Sequence, residues 1–264
     1  MDQTTLVSSS ADEQRASAEE LTLDNVDLYV PTSWEELSPE QYRAAVQLKV
    51  AFPRDEARVY AFLAFAGIQL LSREKGTTAL VRLQGRTYTV SLSSIMLGAR
   101  EVAFIDRPPA FPIRYDRVEG FEAPDAELHG VPFGTYLQAD ATFARLLTTR
   151  DEAHAVELIR LLYGADVSGA ERRAEYVFMM TQWWTGLKTY LSRTFLHIFR
   201  PVDGKEGTDI ETDVRETTLA QIRALTDGDV TKEEAVLNVD TWTALAELDA
   251  KAREAEEMRR LYER

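Results

Sequence analysis

The sequence predicts a mainly α fold with a small β-hairpin, a multi-helix domain built around one long tryptophan-rich helix. Two patterns carry that prediction. Between Gly169 and Phe199, Met180, Trp183, Trp184, Leu187, Leu191 and Phe195 recur at helical spacing. Apolar groups cover so much of this helix that neighbours must pack on several sides, because each large side chain left in water forgoes roughly 1.5–3 kcal/mol. Between Ala79 and Leu92 the period changes to two, around a turn at Gln84-Gly85-Arg86, which reads as a β-hairpin over residues 79–92.

The elements follow in order. Residues 1–24 are rich in Ser, Ala, Glu and Asp and read as a flexible acidic arm, too poor in large apolar groups to offset their own ordering entropy. Val26, Leu28 and Val30 alternate with Asp27 and Tyr29 as in a short edge strand that Pro31 ends. Ser38-Pro39-Glu40-Gln41 has the spacing of a capping box with proline in the first turn, and opens a helix to about Phe52. A second helix spans Arg54 to Arg73. After the hairpin, Ser93 or Ser94 caps a short helix to about Ile105.

Prolines and glycines punctuate residues 107–132, an extended connector that Phe111, Tyr115 and Phe121 pin down. Helices follow over 133–147 and 151–163, then the long helix, closed by Pro201. The sequence therefore divides into the arm, a helical core domain over 25–201, a linker over 202–211 and a C-terminal helical segment over 212–264. In that last segment a helix runs from Thr212 to Leu225, Asp227-Gly228-Asp229 turns, and Thr231 caps a further helix with Glu234 three residues on. Trp242, Leu245 and Leu248 continue the apolar stripe.

Composition narrows the functional classes. The 264 residues carry 45% hydrophobic and 28% charged side chains, values of a globular protein. The absence of cysteine removes disulfides, thiolate metal sites and thiol nucleophiles, and suits a reducing cytosol. A net charge of −14 opposes binding to nucleic acid or anionic lipid, so proteins are the expected partners. Met1 to Glu20 lacks the pattern of a signal peptide, and Val59 to Leu71 is too short to span a bilayer.

No reactive constellation stands out. His129, His154 and His197 lack a second ligand at a spacing that places two donors on one helical face, so no metal is expected. Gly164-Ala165-Asp166-Val167-Ser168-Gly169 lacks the lysine of a phosphate loop, and no Gly-x-Ser-x-Gly elbow occurs. The adjacent acids Glu35/Glu36, Glu233/Glu234 and Glu256/Glu257 diverge in direction on exposed segments. No cofactor is expected. Trp183 and Trp184 diverge by about 100° on a helix, so one faces the core and the other meets the tail or a partner. Leu248, Met258 and Leu261 lie on a narrow seam fit to dock in a groove or pair with a second copy. With Trp34 and Trp242 these are the candidate protein-contact residues.

The run Ser33-Trp34-Glu35-Glu36-Leu37-Ser38-Pro39-Glu40-Gln41, the start Phe133-Gly134-Thr135-Tyr136-Leu137, and the ending from Gly228-Asp229-Val230-Thr231-Lys232 through Trp242, Leu245 and Leu248 resemble proteins of phage and prophage structural-gene clusters. The ending is similar to the short C-terminal helices of tail-assembly chaperones. The resemblance implies a noncatalytic virion or assembly protein, either a tail or neck component or a tail-assembly chaperone. Its partners would be other virion or assembly components, or a second copy in a homo-oligomer, in the cytoplasm of a bacterial host or within a virion. The hairpin and the proline-rich connector depart from a purely helical chaperone. Two other classes stand beside it: a small-molecule enzyme with a pocket between the hairpin and the long helix using Arg86, Tyr88 and Asp106, and a regulatory protein that binds nucleic acid through a local basic patch.

Overall fold

The computed structural model describes residues 19–21, 23, 26–73, 76–199 and 210–262. The fold is mainly α, with nine α-helices among the described residues and a small sheet. It divides into two compact units, Met1–Arg107 and Pro108–Arg264. The sequence placed its boundary at 202–211 instead. Residues 202–209 lie outside the described residues, and the helices that follow belong to the second unit.

The first unit joins helices α1 (Pro39–Ala51), α2 (Arg54–Phe65) and α3 (Leu92–Glu101) to strands β1 (Glu19–Leu21), β2 (Gln69–Arg73), β3 (Thr78–Leu83) and β4 (Arg86–Ser91). The strand order is β1-β4-β3-β2. At α1 the capping box forms as read: Ser38 Oγ accepts from the Gln41 N–H while the Gln41 side chain accepts from the Ser38 N–H at 2.9 Å. The hairpin also forms, with Gln84 and Gly85 both at positive φ, the geometry that suits two-residue turns between twisted strands.

Four expectations are corrected here. Residues 27–30 form no strand; the edge position beside β4 is taken by β1, which pairs in parallel through Glu19 with Tyr88 and Leu21 with Val90. Part of the expected flexible arm is therefore ordered, and Leu23 is buried. The helix expected to run to Arg73 stops at Phe65, because Gly67 adopts φ 67° and Ile68 N–H reaches back to Leu63 O at 2.8 Å, a Schellman stop. The chain then turns back as β2 to pair antiparallel with β3. Last, α3 is capped by Ser91 rather than Ser93 or Ser94, its hydroxyl accepting from the Ser94 N–H, so β4 feeds straight into the helix.

The second unit holds a two-stranded ribbon, β5 (Arg117–Val118) and β6 (Phe121–Glu122), and six helices: α4 (Phe133–Thr149), α5 (Glu152–Tyr163), α6 (Arg173–Thr194), α7 (Ile210–Thr226), α8 (Glu233–Leu237) and α9 (Thr241–Tyr262). The long helix α6 is shorter than 169–199. It ends at Thr194 because the N–H groups of His197 and Ile198 both donate to Asp249 Oδ1, at 2.7 and 3.1 Å, and so leave the helical ladder. Pro201 lies outside the described residues. The cap expected at Thr231 is instead Asp229, which opens a 3-10 turn before α8.

The expected packing on several sides of α6 is present: Tyr176, Met179, Met180, Trp183, Trp184 and Leu187 are all buried. On a further side Gly186 lets the connector lie against the helix backbone, where a Cβ would collide with the carbonyl of Phe111. Gly186→Ala is expected to lower the unfolding free energy by roughly 1–3 kcal/mol through overpacking, measured by urea denaturation. Gly169→Ala, where an added Cβ meets nothing within 4 Å, serves as the near-neutral control.

Candidate interaction surface

The last helix, α9, is positioned by a short piece of the connector. Asp240 caps it, its Oδ1 accepting from the N–H groups of Trp242 and Thr243 at 3.0 and 3.1 Å, while its Oδ2 accepts from Gly130 N–H at 2.6 Å. Thr241 donates to Val131 O through both its N–H and its hydroxyl, and Phe133 N–H donates to Val239 O. Two indoles complete the attachment: Trp183 Nε1 donates to Ala126 O at 2.8 Å and Trp242 Nε1 to Glu127 O at 2.6 Å. The next residue, Leu128, is buried at φ 69°, a conformation that costs a leucine roughly 1–2 kcal/mol and persists because these bonds dictate it.

Further along α9, Lys251 donates to Ala224 O at 2.8 Å and to Asp227 Oδ1, placing a cation at the negative end of α7. Asp249 holds the end of α6, and Glu256 Oε2 lies 3.1 Å from His197 Nδ1. Beyond Glu256 the helix carries Met258, Leu261 and Tyr262 exposed.

Of the candidate contact residues, most are internal. Trp34 is buried, donates to Arg107 O at 2.8 Å and meets Tyr42 and Phe104 edge-on. Trp183 and Trp184 diverge as expected, but both are 0% exposed, so neither meets a partner. Trp184 turns to Tyr136 and Phe143 and donates to Asp140, because α4 covers the side that the sequence left open. Leu248 is buried and Trp242 half-buried under His129, Tyr190 and Phe195. Only Met258 and Leu261 remain available.

Residue-by-residue reading missed the surface around α7 and α8. One groove of about 600 Å³ is lined by Leu225, Val236, Val239, Ala244, Ala246 and Glu247. A second, of about 330 Å³, is lined by Leu219, Ile222 and Val230 with Arg223 and Glu233, and both Leu219 and Val230 are exposed. The 219, 222, 226 spacing on α7 was the available signal, since it marks a helical face, though not whether that face is covered.

The charged clusters are structural ties. Asp106 has its carboxylate 2% exposed and receives Lys49 at 2.6 Å, Arg54 at 2.9 Å and Arg58. Burial by itself would raise its pKa, but the three cationic hydrogen bonds outweigh that and hold it down at about 2. Its partners come from α1 and α2, whereas Arg86 and Tyr88 lie on β4. In the second unit, buried Glu175 accepts from Tyr115 Oη at 2.8 Å, and Tyr176 donates to Glu119 at 2.6 Å. Burial and that carboxylate push the Tyr176 phenol up to about 12, and burial also raises those of Tyr136 and Tyr163, so all three stay protonated; Tyr163 donates to Tyr115 O at 2.9 Å. Among the described residues no three His, Asp or Glu side chains gather as a metal ion would require. No helix of the described residues is long and apolar enough to cross a membrane.

No protein-family model, curated protein or solved structure matches the chain.

Two substitutions test these ties. Trp242→Phe keeps the packing but leaves Glu127 O without its donor, an expected loss of roughly 0.5–1.5 kcal/mol in denaturant unfolding. Asp106→Asn is expected to cost roughly 2–3 kcal/mol, less than a fully buried pair, because Arg54 stays largely in water. Because folding lowers the Asp106 pKa from 3.8 to about 2, its contribution is complete above pH 4 and disappears as the pH falls towards 2. The wild type should therefore lose roughly 2 kcal/mol more over that interval than the Asn variant.

Proposed function

We propose that this protein is a noncatalytic structural or assembly subunit that acts through protein–protein contacts, of the virion tail, neck or tail-assembly kind that its sequence resembles. The observation that carries this reading is the concentration of exposed apolar side chains on α7 to α9 and the turn joining α7 to α8. Leu219, Val230, Met258, Leu261 and Tyr262 are each more than half exposed there, and two grooves with aliphatic walls lie on the same elements, one of them lined by Leu219 and Val230. Burial of such side chains in a partner, within a polar rim, is the usual source of interface affinity.

The polar network supports the same reading. Asp106, Glu175 and Asp240 each receive hydrogen bonds that hold one element to another. The net charge of −14 favours proteins over polyanions as partners.

The test is co-expression with the products of the flanking genes, followed by size-exclusion chromatography. A stoichiometric complex with a portal, tail-tube or tape-measure protein is expected. Leu219→Asp combined with Val230→Asp, both at exposed positions, should weaken it by about tenfold or more. A chain that forms no complex with any of these products overturns the reading.

A further inference from the structure

We draw no further inference here: the strongest candidate, the outer edge of β2 together with the apolar groove beside it that Leu48, Leu63, Ile68 and Leu70 line between α1, α2 and the start of that strand, carries nothing because nothing in the structure shows what covers it.

Discussion

Two indole N–H groups, from Trp183 on α6 and Trp242 on α9, hold the consecutive carbonyls of Ala126 and Glu127, and most of the second unit is arranged around that attachment. A connector rich in proline and glycine has few backbone bonds of its own, so its path is dictated by what it is tied to. Here the ties run over the eight residues from Ala126 to Phe133, with Gly130, Val131 and Phe133 bonded to Asp240, Thr241 and Val239. They are enough to hold Leu128 in a left-handed conformation. They also set the start of α9, and so the direction in which its far end leaves the unit.

Electrostatics follows the same division of labour. Asp106 is buried and receives three cations, so the first unit keeps a charge inside only where α1 and α2 both answer it. In the second unit Asp249, Glu256 and Lys251 hold α9 to α6 and α7 along its middle. Past Glu256 the helix changes character and presents thioether, aliphatic and aromatic surface beside Arg259 and Arg260. The helix is thus tied to α6 and α7 along its middle and exposes apolar side chains at its far end.

Much of this was legible locally. The capping box at Ser38, the turn at Gln84-Gly85 and the apolar groups that cover several sides of α6 each depend on residues close in sequence, and each is present. Where reading failed, a distant partner had intervened. Gly67 was a visible stop, but the apolar run beyond it fits helix and strand equally, and only pairing with β3 decides for β2. The tryptophans show why burial escapes local inspection: Trp184 lies on a second face of α6, and whether that face meets solvent depends on α4, some forty residues away.

The sequence by itself determined that the chain is mainly helical with one hairpin, where most helices start, and that its chemistry is that of an acidic protein without cysteine. Those properties follow from side-chain volume, hydrogen-bonding capacity and charge, which each residue carries with it. Only the tertiary structure decided which apolar groups are core and which are surface. It placed Trp34, Trp183, Trp184 and Leu248 inside and left Met258, Leu261, Leu219 and Val230 outside. The physical reason is that burial belongs to a pair of surfaces, and the second surface of each pair is supplied by a part of the chain that spacing along the first does not reveal.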